Sequence, residues 1–128
     1  PAGDYTWQMF DRIEQAGRPG AAQALAAKAL QLTGGPNSPP PPAGRNVYGV
    51  LTASGAADLF ITYCTNAVSA VREEPTLRVV AVPDAINVSA AYGVTLINGA
   101  SPLASRYVDF LLGPDGQAVL ARHGFAPR

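Results

Sequence analysis

Tyr5, Met9, Phe10 and Ile13 recur at helical spacing, with Asp11, Arg12 and Glu14 on the other side. The pattern predicts an amphipathic helix close to the N-terminus. Pro1-Ala2-Gly3 makes a turn ahead of it, Asp4 is placed to cap it, and Gly17 and Pro19-Gly20 end it. The period of the alanine-rich stretch that follows, Ala21 to Ala29, leaves two readings open: a short helix, or a strand over its Lys28-to-Leu32 tail. Val47, Val50 and Leu51 share a helical face that Gly55 terminates. Asp58 to Tyr63 is a short apolar run of strand formers between turn signals, which predicts a buried strand. A short helix over Thr65 to Val71 follows. Leu77 to Val82 reads as a second strand closed by Pro83, and Ala91 to Ile97 as a third, weakened by Gly93. In the last third, Ser101 caps a helix with Pro102 in its first position and Tyr107, Val108, Phe110 and Leu111 on its apolar stripe. Gly113-Pro114-Asp115 breaks it, and a final helix from Gln117 to His123 ends at Gly124. Strands alternating with helices predict α/β layers with a mostly parallel sheet.

Composition narrows the function classes. With 128 residues, 48% of them hydrophobic and 14% charged, the chain is long and apolar enough to bury a core and is not a disordered segment. Nine basic residues balance nine acidic ones, so no basic face is available for nucleic-acid phosphates. No apolar run reaches the ~18–20 residues of a membrane span. Cys64 is the single cysteine, which excludes an intrachain disulfide and a multi-thiolate zinc site. A start at Pro1, without methionine or a signal segment, reads as that of a processed or truncated product. The Gly- and Pro-rich segment 34–44, with four prolines from Pro39 to Pro42, reads as a stiff surface excursion rather than a proline-recognition ligand.

Few residues announce chemistry. Cys64 and the only histidine, His123, are far apart in sequence and carry no catalytic signature. A small buried thiol, and a cation at the negative end of a helix, explain them more simply than a nucleophilic pair. Asn87-Val88-Ser89 matches a glycosylation acceptor, a pattern short enough to arise by chance. More suggestive is Pro-Ala-Gly, which occurs at Pro1-Ala2-Gly3 and again at Pro42-Ala43-Gly44, each time ahead of a predicted helix. First-turn N–H groups and the helix dipole together make an anion site without fixed positive charge. Ordinary turns before helices account for the same pattern. Tyr63, at the end of a predicted strand, stands where open α/β sheets bind ligands, or else packs at a sheet edge.

Pro1-Ala2-Gly3-Asp4-Tyr5, the run from Leu59 through Tyr63 to Ala67, Val94 to Ile97, and Tyr107 to Ala118 continuing to His123-Gly124-Phe125-Ala126-Pro127 occur in that order. In this the chain resembles the periplasmic molybdate-binding proteins of ABC importers, which are type II substrate-binding proteins. The resemblance covers most of the chain except the insertion around Pro36 to Pro42. It implies a fragment of a two-lobed α/β receptor, with residues 1–90 forming most of the second lobe, without its entering strand, and residues 91–128 returning to the first. It further implies that a tetrahedral oxyanion, molybdate or tungstate, is held by neutral donors and passed to a permease in the membrane, with no cofactor, no metal ligand set and no enzymatic step. Carried over by position, Ala2 supplies a backbone N–H, Arg45 or the adjacent Asn46 supplies another at the next helix, and Tyr63 supplies its hydroxyl.

Two departures from the family pattern stand out. Its N-terminal half, with the serine donors of the first lobe, has no counterpart here. Such a fragment exposes a sheet edge and apolar helix faces, and it binds oxyanion weakly or not at all unless the missing half or a partner chain supplies the rest. Arg45 also brings a guanidinium to a position usually aliphatic, either to bond the anion or to face solvent. Cys64-Thr65-Asn66 is a polar triplet placed to contact ligand or to cap the next helix. Two other functions compete with transport. A ligand-sensing effector domain of a transcription regulator shares the architecture, and a thiol enzyme would use Cys64.

Overall fold

The computed structural model describes residues 2–40 and 42–126. Six helices run through them: α1 (Ala2–Gln15), α2 (Ala21–Lys28), α3 (Val47–Ala53), α4 (Cys64–Glu73), α5 (Pro102–Leu112) and α6 (Pro114–Arg122). The chain divides into two compact units, Pro1–Ser89 and Ala90–Arg128.

In the first unit α1 packs on α2, and α3 on α4. The apolar stripe read from the sequence buries Phe10, with the Trp7 ring edge-on to it at 5.6 Å. Asp4 does not cap α1. The helix already begins at Ala2, so this carboxylate lies within its first turn, where it complements the helix dipole. Gly17 and Gly20 turn the chain with positive φ of 96° and 78°, and the Glu14 carboxylate then accepts the Ala22 N–H at 3.1 Å. The alanine-rich stretch is thus a helix as far as Lys28, and Leu30 to Leu32 beyond it form no strand. Asn46 caps α3, its Oδ1 accepting the Gly49 N–H at 3.0 Å. Gly49 is buried where α3 meets α4, and a Cβ there would sit 3.4 Å from Ala70.

The second unit is an elbow of α5 and α6. Ser101 Oγ accepts the Ala104 N–H at 3.4 Å, as its capping position predicts. Gly113 closes α5 and opens α6 without intervening residues, so α6 starts at Pro114, three residues earlier than expected. Gln117 Nε2 donates to the Leu111 carbonyl at 2.8 Å, and the Tyr92 and Phe125 rings meet edge-to-face at 5.4 Å.

The expected fold class is overturned. The described residues contain six helices and no strand, so the chain is not α/β with a mostly parallel sheet. The three predicted strands, 58–63, 77–82 and 91–97, are non-helical, but no ladder joins them to one another or to any other described segment. A short run of strand formers between turn signals reports a segment's preference for an extended path. A sheet needs, in addition, a neighbour that exchanges backbone hydrogen bonds with it, and composition alone does not supply one. The consequence is a thin core. Among the described residues only Phe10 and Ala70 are buried apolar side chains, while Leu59, Val79, Val80, Val94 and Ile97 from those segments stand exposed.

Candidate functional site

Two of the four residues singled out in the sequence meet. Ala2, at the start of α1, and Tyr63, the N-cap of α4, line one hollow of about 60 Å³ together with Tyr5, Thr6, Met9 and Asn87. The local sequence explains how they meet. Segment 58–63 leads into α4; Ile61 and Tyr63 line the hollow, Asp58 and Phe60 line a second cleft, and Thr62 lines both. That alternation is the period of an extended chain. The Tyr5 and Tyr63 rings lie edge-to-face at 6.2 Å and 76°, fixing α1 against the start of α4. The Tyr63 side chain makes no capping bond to its own helix. Thr6 Oγ1 donates to the Ala2 carbonyl at 2.9 Å, which ties the first turn of α1. On the far wall the Arg12 guanidinium donates to the Asn87 carbonyl.

Arg45 and Asn46 are not among the residues lining the hollow. Arg45 Nε donates to Glu73 Oε2 at 3.3 Å, and its terminal nitrogen pairs with Glu74, so the guanidinium is engaged by two carboxylates. The Asn46 backbone N–H donates to the same Glu73 oxygen at 2.8 Å. The Asn46 side chain reaches toward the hollow indirectly. Its Nδ2 donates to the Asn66 carbonyl at 3.1 Å, and Asn66 Nδ2 donates to Thr62 Oγ1 at 3.2 Å, beside Tyr63. Asn46, and not Arg45, is the capping residue of α3.

The residues that sequence reading passed over are Thr62, Glu73 and Asn87. In the sequence Asn87 carries only a match to a glycosylation acceptor, and Glu73 is a helix-surface carboxylate with nothing local to mark it. Asn66 belonged to the polar triplet after Tyr63. It serves neither as the cap of α4, which is Tyr63, nor as part of the hollow's lining, but as the link to Asn46. Cys64 is exposed, in contrast to the buried thiol expected, and it lies in the first unit while His123 lies in the second. No group of three or more His, Cys, Asp or Glu is gathered among the described residues in a way that would hold a metal ion.

The site is thus a small hollow beside the starts of two helices, where Tyr5, Thr6, Thr62, Tyr63 and Asn87 share the lining with the apolar Met9, Ile61, Val82 and Val88. It is suited to hydrogen-bonding a ligand and offers no nucleophile paired with a base. The sequence matches the family of bacterial extracellular solute-binding proteins over residues 1–126. The chain belongs to that family. Solute-binding proteins bind rather than transform, and they serve transport. The chain is also 38% identical over 128 residues to an uncharacterized protein of Pasteurella multocida (strain Pm70), a match that covers 99% of this chain and 51% of the relative. It therefore spans about half the length of the curated relative that it matches. No solved structure matches it significantly.

Proposed function

We propose that this solute-binding chain takes part in holding a tetrahedral oxyanion, molybdate or tungstate, for delivery to an ABC permease from the periplasmic side of the membrane. The observation that carries the reading is the meeting of Ala2 and Tyr63 at one hollow, although they are distant in sequence. The start of α1 supplies backbone N–H groups at the positive end of a helix dipole, and Tyr63 supplies a hydroxyl; both are neutral donors suited to a dianion. The hollow is small, about 60 Å³, well below the size of sites that hold extended organic ligands. Asn46 fits the reading as the residue that positions α3 and, through Asn66, braces Thr62. The Arg45 guanidinium is engaged by Glu73 and Glu74, which favours a structural role for it over direct anion contact. A dry site built from fixed dipoles would choose between molybdate and sulfate by size and donor placement, since the charge of the two is equal.

Isothermal titration of molybdate, with sulfate and phosphate as controls, tests this in the complete protein. Molybdate heat with sulfate ignored is the expected result, accompanied by about 4 kcal/mol of added stability at ~1,000 times the dissociation constant. An absence of heat with every oxyanion overturns the ligand assignment while leaving family membership intact.

A further inference from the structure

The turn ahead of α5 carries the one asparagine of this chain that is followed by glycine, Asn98-Gly99. The Ala100 N–H donates to the Ile97 carbonyl at 3.1 Å, which closes the turn around these two residues. Gly99 holds φ at 78°, and a Cβ built on it would meet nothing within 4 Å. Both residues are exposed, and no hydrogen bond among the described residues engages the Asn98 side chain or the Gly99 N–H. A single backbone bond thus closes a turn in which the nitrogen after the asparagine is unengaged and has no side chain beside it. The other asparagines are guarded in distinct ways. The Ser38 N–H, after Asn37, donates to the Gly35 carbonyl at 3.1 Å, and the Ala67 N–H, after Asn66, donates to the Tyr63 carbonyl at 3.0 Å. Both polar atoms of the Asn46 side chain are bonded, to Gly49 and to Asn66. Asn87 precedes Val88, whose branched Cβ crowds the nitrogen, and its own Nδ2 donates to Ser89 Oγ at 3.5 Å.

We propose that Asn98 is a self-modification site, at which the chain converts its own asparagine to aspartate and isoaspartate. The Gly99 backbone nitrogen gives up its proton to base and attacks Asn98 Cγ. A C–N bond forms there, the Cγ–Nδ2 bond breaks, and the side-chain nitrogen leaves as ammonia with a proton taken from water. The product is a five-membered cyclic imide. Water then opens the ring at one of two bonds. Cleavage between Cγ and the Gly99 nitrogen leaves aspartate at position 98. Cleavage between the main-chain carbonyl carbon of that residue and the same nitrogen leaves isoaspartate, with the main chain lengthened by one methylene. The balance is one water consumed and one ammonia released, with no oxidant or reductant. Either product adds a negative charge to a chain whose formal net charge is zero. The charge arises in the turn just ahead of the Ser101 cap, at the end of α5 where the helix dipole favours an anion. The proposal is independent of which solute the protein carries.

The test holds the full chain in mildly alkaline buffer and follows isoelectric focusing, the masses of proteolytic peptides and enzymatic methylation of isoaspartate. The expected result is a more acidic form that contains isoaspartate, maps to Asn98 and accumulates faster as pH rises. Conversion in the folded chain runs within about tenfold of that in a peptide of residues 94–102, because an exposed turn closed by one backbone bond opens readily. Gly99→Ala places a Cβ beside the attacking nitrogen and slows conversion about tenfold or more, the factor that about 1.4 kcal/mol of barrier gives. Asn98→Gln keeps an amide but would need a six-membered ring, so it abolishes the acidic form. Four results would each overturn the proposal: no acidic form, an acidic form that maps to another asparagine, conversion slower than in the peptide by more than about tenfold, or conversion undiminished by Gly99→Ala.

Discussion

Asn46→Ala removes two interactions with separate measurable contributions. The side-chain oxygen caps α3 by accepting the Gly49 N–H at 3.0 Å, and the amide nitrogen donates to the Asn66 carbonyl at 3.1 Å. Losing an N-cap costs about 1 kcal/mol, and losing a partly buried neutral hydrogen bond costs about another 1 kcal/mol. Asn46→Ala should therefore lower stability by about 2 kcal/mol, one bond being lost to α3 and one to α4. Asn46→Ser keeps an oxygen able to cap and lacks the amide donor, so it should lose only about 1 kcal/mol. Urea denaturation followed by circular dichroism gives both values, provided the slope m is the same for all three proteins. A loss below ~0.5 kcal/mol for the alanine variant, or equal losses for alanine and serine, would refute the claim that Asn46 ties α3 to α4 through two separate bonds.

Other perturbations bear on other parts of the structure. A Cβ at Gly116 would sit 2.1 Å from the Phe110 carbonyl oxygen and 2.7 Å from Leu111 Cα; Gly116→Ala should therefore force α5 and α6 apart and cost about 2 kcal/mol despite alanine's better helix propensity, seen as increased hydrogen exchange across α6. Tyr63→Phe deletes a hydroxyl donor and should weaken oxyanion binding by about 1.5–3 kcal/mol, roughly 10- to 150-fold in a molybdate titration. Arg45→Ala should cost no more than about 1 kcal/mol of stability, because its pairs with Glu73 and Glu74 are solvent-exposed, and titration should show oxyanion affinity changed less than by Tyr63→Phe.

The helices were largely legible in the sequence. The stripe of Tyr5, Met9, Phe10 and Ile13, the Ser101-Pro102 start of α5, and Gly124 at positive φ after α6 all carry local signals with a local cause. The segments around Phe60, Val80 and Val94 carry the composition of strands, and in the structure none of them joins a sheet. A helix closes its hydrogen bonds within its own few residues, whereas a strand depends on a neighbour that may lie anywhere in the chain. The site divides along the same line. Ala2 is marked by the turn expected ahead of a helix, whereas Tyr63 is marked as the end of a sheet strand that the structure does not form; in the structure it is the N-cap of α4. The engagement of Arg45 by Glu73 and Glu74 depends on how α3 crosses α4, and nothing local to Arg45 encodes it.

The central claim is that the start of α1 and the start of α4 together form an oxyanion site. The most direct measurement is a molybdate titration followed by amide chemical shifts of the full chain, with sodium chloride as the ionic-strength control. The account predicts saturable shifts concentrated at Ala2, Gly3 and Tyr63 to Thr65, absent with chloride. Shifts confined to residues 90–126, or no saturable shift at the starts of α1 and α4, would contradict it.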